Sequence, residues 1–295
     1  MSTTQANGIE VFYETFGDPT DPTLLLVNGL GTQAIGQDQE YCEALAALGL
    51  HVIRYDNRDV GLSTHVDSDV GDVMESFATA LGGGEVDAPY TLSDMAADGI
   101  GLLDSLDIGA AHILGSSMGG MIVQTMAIEH PGRVLSLTSV MSTTGEPEYG
   151  TPDPECLAGL ATLMVPAGDR AQRIEAGVQL QKLIGTKGVW DEGWTRQRVA
   201  AAVDRAYDPD GVARQMTAIL ASGSRAEGLS ELSLPTVVLH GDADPLVNIS
   251  GGERTAELVP GAELRVMPGM GHDLPPAYWD RLVAAVADLS QKVAR

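Results

Sequence analysis

The sequence predicts an α/β fold, a mostly parallel central sheet flanked by helices and interrupted once by an all-helical insertion. Short, continuously apolar runs such as Thr23-Leu-Leu-Leu-Val27 and Val237-Val-Leu-His240 have the composition of strands covered on both faces. Segments of helical periodicity alternate with these runs, which makes the connections crossovers and the strands parallel. From about Ser142 to Ser233, helical stretches follow one another with no strand between them. At 295 residues the chain exceeds the usual single-domain size, yet its 44% hydrophobic content can fill one shared core. The expected division is a core of residues 1–141 and 234–295 and a helical cap of residues 142–233.

Each element has a local reason. Ile9 to Thr15 alternates as a half-buried antiparallel strand, and the turn chemistry of Gly17-Asp-Pro-Thr-Asp-Pro22 leads to Thr23–Val27, so an opening hairpin is expected. Asp38 to Leu48 reads as a helix, His51 to Tyr55 as a buried strand, and Gly- and Asp-rich Thr64 to Pro89 as an irregular surface excursion. Thr91-Leu-Ser-Asp94 has capping-box spacing ahead of a helix reaching about Leu106. Arg133 to Met141 is the next strand, followed by helical stretches at Cys156–Met164, Arg170–Leu183, Trp194–Tyr207 and Gly211–Ala221. The sheet resumes at Pro235–His240 and Ala262–Met267, and a helix over Ala277–Val293 closes the chain.

The chemistry gathers around His112-Ile-Leu-Gly-Ser-Ser117-Met-Gly-Gly120. An apolar run reaches Gly-x-Ser-x-Gly and passes at once into the helical pattern of Met121 to Glu129. Strand, sharp turn and helix form the setting in which a serine hydroxyl is held exposed above a sheet edge, the nucleophile elbow. Such a serine needs an oxyanion hole of two backbone N–H groups, for which Met118 and Leu30, in the loop Asn28-Gly-Leu-Gly31, are the candidates. Val237-Val-Leu-His240 ends in Gly241-Asp-Ala-Asp244-Pro245, which puts a carboxylate at a strand tip, and Pro268-Gly-Met-Gly-His272 presents an imidazole after the last strand. Ser117, Asp244 and His272 thus occur in the order nucleophile, acid, base, each on a loop leaving the same edge. A serine hydroxyl attacks a carbonyl only when a neighbouring imidazole takes its proton, and a carboxylate orients that imidazole. Asp242 competes with Asp244 for the acid's role, and Asp273 adjoins the base. Of six histidines, His51 and His112 begin strands, His65 and His130 lie at a surface loop and a helix end, and His240 comes too early to reach Ser117.

A net charge of −24 repels phosphate backbones and anionic membranes, so neither nucleic acid nor membrane is an expected partner, and the oligomeric state stays open. Cys42 and Cys156 lack metal-ligand or Cys-x-x-Cys spacing, so no metal site or disulfide is expected and both read as buried small hydrophobes. No cofactor is expected, because neither a Gly-x-Gly-x-x-Gly after a first strand nor a Walker-type loop occurs. Met1 to Ala6 has neither region of a signal peptide, and the expected location is cytoplasmic.

These motifs together resemble the α/β-hydrolase superfamily over nearly the whole chain, with Tyr55-Asp-x-Arg-x-x-Gly-x-Ser63 as a further match. Within it, Val52-Ile-Arg-Tyr-Asp-x-Arg-Asp59 and Pro268-Gly-Met-Gly-His272 are most similar to the aclacinomycin methylesterase-like group of serine esterases. The resemblance implies an α/β-hydrolase fold and cleavage of a carboxylic ester, such as the methyl ester of a bulky, apolar, polyketide-like small molecule. Two positions depart from the common superfamily pattern: Asn28 stands where His is usual, and Asp59 where Gly is common, the second being shared with the methylesterase group. Ser117 argues against epoxide opening and halide displacement, which use Asp at the elbow. Carbon–carbon bond hydrolases, lactonases and cofactor-free haloperoxidases keep the serine and remain alternatives, as does a non-catalytic binding module on the same fold. Met164, Trp190, Trp194 and Met216 in the insertion are candidates to line an apolar pocket, although such residues also pack helix against helix.

Overall fold

The computed structural model describes residues 2–293. Strands β1 (Ser2–Ala6), β2 (Ile9–Phe16), β3 (Thr23–Val27), β4 (His51–Tyr55), β5 (Ala111–Ser116), β6 (Val134–Val140), β7 (Thr236–Gly241) and β8 (Glu263–Met267) form one sheet in the order β1-β2-β4-β3-β5-β6-β7-β8. From β4 to β8 every pairing is parallel, whereas β1 with β2 and β2 with β4 are antiparallel. The helices are α1 (Gln39–Ala46), α2 (Val73–Leu81), α3 (Leu92–Ser105), α4 (Met118–Glu129), α5 (Pro154–Ala161), α6 (Arg170–Ile184), α7 (Glu192–Arg205), α8 (Pro209–Ser222), α9 (Ala226–Ser230), α10 (Ser250–Leu258) and α11 (Pro276–Val293).

The sheet is covered on both faces, as its apolar runs require. Strand alternation divides β3: Leu25 and Val27 pack with Met95, Leu103, Ile122 and Met126 of α3 and α4. Leu24 and Leu26 point the other way, toward Tyr41 and Leu45 of α1 and Leu282 and Val286 of α11. Cys42 and Cys156 are both buried, in separate apolar clusters. No helix of the described residues is long and apolar enough to cross a membrane.

Three expectations change. The opening hairpin is β1 with β2, turned at Asn7-Gly8 with φ of +48° and +80°, and β2 pairs next with β4 rather than with β3. Asn-Gly allows both central residues a positive φ, a hairpin signal stronger than the Gly17–Pro22 turn that was given that role. Second, the excursion from Thr64 to Pro89 contains α2, capped by Asp72, whose carboxylate accepts from Met74 N. That helix has no buried residue. Third, α10 was not anticipated, because Ser250-Gly-Gly opens it with poor helix formers.

Helices α5 to α9 fill the chain between β6 and β7. Polar side chains tie them to the loops at the C-terminal ends of β3 and β4. Arg205 of α7 donates to Asp56 Oδ2 at 2.7 Å, and Arg214 of α8 to Asp59 Oδ1 at 2.9 Å. Gln215 accepts from Gly31 N and donates to Arg58 O. Beneath them Arg58 makes two 2.7 Å bonds to Asp98 of α3, with both side chains under 10% exposed. Asp98→Ala strands a buried guanidinium and should cost about 3–5 kcal/mol of stability, read as a fall in the urea midpoint. An unchanged midpoint would show that the pair does not hold the β4 loop to α3.

Candidate active site

The turn between β5 and α4 is a single residue, Ser117, at φ +57° and ψ −121°. A non-glycine residue there carries strain of order 1–3 kcal/mol, which the surrounding structure must offset. Neither flanking glycine has a positive φ. Their role is clearance: a Cβ on Gly115 would lie 2.0 Å from Gly119 O, and one on Gly119 would lie 2.1 Å from Val27 O. Glycine at both positions lets α4 start directly over the ends of β5 and β3. Ser117 N donates to Val140 O at 2.9 Å, and Ser142 Oγ donates to Ser117 O at 2.8 Å, so β6 and its following loop fix the elbow.

Ser117 Oγ lies 2.9 Å from His272 Nε2, and His272 Nδ1 lies 2.7 Å from Asp244 Oδ2. Because an ionised carboxylate only accepts, the Nδ1 proton is donated to Asp244, which leaves Nε2 free to accept from the serine hydroxyl. The turn after β7 grips the other carboxylate oxygen, as Leu246 N and Val247 N both donate to Asp244 Oδ1 at 2.9 Å. Burial acts to raise the Asp244 pKa, but the charge of His272, the nearby His240 ring, the hydrogen bond from His272 and the Val247 N–H outweigh it and hold the carboxyl well below its usual range. A depressed carboxyl contributes stability that is present above about pH 4 and is lost as pH falls through the folded value. Asp242 is exposed and accepts instead from Gly269 N at 2.6 Å.

One further histidine stands beside the acid. His240, fully buried, does not reach Ser117, but its Nε2–H donates to Val247 O at 2.8 Å and stands 3.5 Å from Asp244 Oδ2. The signal was a histidine four residues ahead of the acid, at the end of the same strand. The Leu30 and Met118 N–H groups have no hydrogen-bond partner among the described residues, and a Cβ on Gly29 would stand 3.2 Å from the Ser117 Cβ. The imidazole is therefore placed to take the proton of the Ser117 hydroxyl as that hydroxyl attacks.

A cavity of about 260 Å³ opens beside the Leu30–Gly31 loop and runs beneath α6, α7 and α8. Its walls are mostly apolar, with Leu30, Leu180, Trp194, Val199 and Val212 among them, and Arg198 lies over the Trp194 ring at 4.3 Å. Of the four pocket candidates, Trp194 lines this cavity, whereas Met164, Trp190 and Met216 do not; Met216 is packed inside α8's buried face.

The sequence model described as alpha/beta hydrolase fold matches residues 22–275. The chain belongs to the α/β-hydrolase family. Rhodomycin D methylesterase DauP of Streptomyces sp. (strain C5) is 30% identical to this hydrolase, with 94% of each chain covered. A putative carbamate hydrolase, RutD of Variovorax paradoxus (strain S110), is 27% identical with 88% of each covered. The enol-lactonase from Burkholderia xenovorans LB400 superposes with a TM-score of 0.77 over 98% of this chain and 100% of its own, and at 21% identity that likeness speaks to fold alone.

Asn28 is buried, and the bond that holds its loop does not depend on its side chain: its backbone carbonyl accepts from Asn57 Nδ2 at 3.0 Å, which ties the loop after β3 to the β4 loop. Asp59 has φ +69°, the left-handed region in which glycine is at ease. Tyr90 Oη, Arg214 and Val66 N all donate to its carboxylate, which offsets the roughly 1–2 kcal/mol of backbone cost. Asp59, His65 and Asp208 bring ligand-type atoms within 4.8 Å of one another, but Arg214 donates to both carboxylates, so the cluster works as an ion-pair network joining α8 to the β4 loop.

Proposed function

We propose that this α/β-hydrolase cleaves a carboxylic ester through an acyl-enzyme on Ser117. The observation that carries the reading is the unbroken Asp244, His272 and Ser117 array, with bonds of 2.7 and 2.9 Å, at a strained elbow. In the first step Ser117 Oγ forms a bond to the acyl carbon as its proton passes to His272 Nε2, and the oxyanion is held by the Leu30 and Met118 N–H groups. The carbon–alkoxy bond then breaks, and the alcohol leaves with the proton from His272. Water repeats the sequence, giving the acid and restoring the serine. Asp244, kept ionised, stabilises the imidazolium of both steps.

The 30% identity to rhodomycin D methylesterases over 94% of the chain supports a methyl ester of a bulky, polyketide-like acid as the substrate class. The insertion, residues 142–233, acts in this reading as a cap, and the cavity beneath it receives the part of the substrate that does not react. The array also argues against a binding module that has lost catalysis. Labelling by a fluorophosphonate probe, located by mass spectrometry, tests the nucleophile, and a panel of methyl and p-nitrophenyl esters with varied acyl groups tests the class. Labelling away from Ser117, or turnover of none of the esters, would overturn the reading. Trp194→Ala should change the kcat/KM ratio between large and small acyl groups at least about fivefold, or about 1 kcal/mol. Equal effects on both would leave Trp194 as helix packing only.

A further inference from the structure

The loop that carries His272 is held from an unexpected side. Its preceding turn is fastened to the sheet edge, where Met270 N donates to Met267 O and Ala243 N to Met270 O. The next three residues turn to the end of α6 instead. Gly271 N donates to Thr186 Oγ1 at 2.9 Å and His272 N to Ile184 O at 2.8 Å. Asp273 Oδ1 accepts from both Thr186 N and Thr186 Oγ1. The Thr186 hydroxyl has one proton to give and lone pairs to receive, so it serves Gly271 and Asp273 at once. Main chain meets main chain there: a Cβ on Gly271 would lie 2.6 Å from Ile184 O, and one on Gly185 would lie 2.6 Å from Gln181 O and 3.0 Å from Asp273 Oδ2.

The same helix end also touches the acid's turn. Leu180 and Ile184 pack with Cys156 and with Leu246, whose N–H donates to Asp244 Oδ1. One turn earlier, Gly177, Leu180 and Gln181 face the cavity beneath the insertion. The α6 end therefore contacts the base's loop, the acid's turn and the cavity wall.

We propose that Thr186 is a positioning residue for His272, and that Ile184–Thr186 with Asp273 forms a latch through which the insertion sets the imidazole against Ser117. The proposal rests on Ser117 acting as the nucleophile. It extends that reading by making the insertion part of the catalytic geometry as well as a wall for substrate. A ligand that fills the cavity presses on α6 and steadies the latch, whereas a loosened latch lets Nε2 drift from Oγ. A misplacement of about 1 Å at such a contact can cost about 10²-fold in rate.

The test uses the full-length chain. Thr186→Val keeps the side-chain shape and removes both hydroxyl bonds; it should lower kcat on a methyl ester about 10- to 100-fold while KM stays within about threefold. The rate of fluorophosphonate labelling should fall in parallel, because that reaction needs the same base. Thr186→Ser, which restores the hydroxyl, should return both rates to within about threefold of the parent. A role in stability alone would lower the melting temperature and leave the per-molecule rate, corrected by active-site titration, unchanged. Should Thr186→Val fail to fold, Asp273→Ala opens the latch from its half-buried side and should show the same fall in kcat. Parent-like kcat and labelling in either folded variant would overturn the latch while leaving the nucleophile in place. An unlabelled parent protein would instead remove the functional reading, and the latch with it.

Discussion

Ser117→Ala should lower kcat on a methyl ester by at least about 10³-fold, equivalent to at least about 4 kcal/mol of barrier, with the fold unchanged. The size follows from the chemistry: without the hydroxyl no acyl-enzyme forms, and only the oxyanion donors and substrate binding are left to act on water. The fold should persist because the elbow is held by main-chain and neighbouring groups, Ser117 N to Val140 O and Ser142 Oγ to Ser117 O, neither of which uses the lost hydroxyl. Single-turnover kinetics beside a circular dichroism melt checks both halves. Retention of more than about a tenth of kcat would remove Ser117 from the nucleophile's role.

Asp244→Asn should cost about 10⁴-fold in kcat, whereas Asp242→Asn should cost less than about threefold. Asparagine keeps an oxygen for Leu246 N and Val247 N, so the turn survives, but its amide hydrogens face Nδ1 and favour the tautomer that puts the proton on Nε2. An imidazole in that state cannot accept the serine proton. Asp242 has no such partner; its carboxylate serves Gly269 N on the exposed side of the turn. Steady-state rates of the two variants on one ester, at one pH, decide the matter, and the reverse order would transfer the acid's role to Asp242.

The sequence by itself determined the fold class and most element positions, and it singled out Ser117, Asp244 and His272, because each rests on a local pattern. Apolar runs specify covered strands, Thr91 and Asp94 spell their capping box, and Gly-x-Ser-x-Gly between strand and helix specifies the elbow. What it left open depends on pairing and packing between distant segments. Nothing local shows that β2 passes over β3 to reach β4, or that Asp244 is buried while Asp242, two residues away, stays in water; β7 and its turn decide that. The role of His240 was equally hidden, since its distance to Asp244 is set by how the turn after β7 folds back. The elbow glycines were recognised, but the reason for them was tertiary: backbone atoms of β3 and α4 come so close that no Cβ fits. Pocket residues were the least legible, because a Trp or Met at helical spacing faces a cavity or a neighbouring helix according to the angle at which that helix docks. Tertiary packing turned Trp194 toward the cavity and Met216 into the buried face of α8, and it brought Thr186 against Asp273 in the loop of His272, a contact across 87 residues of chain that no local pattern encodes.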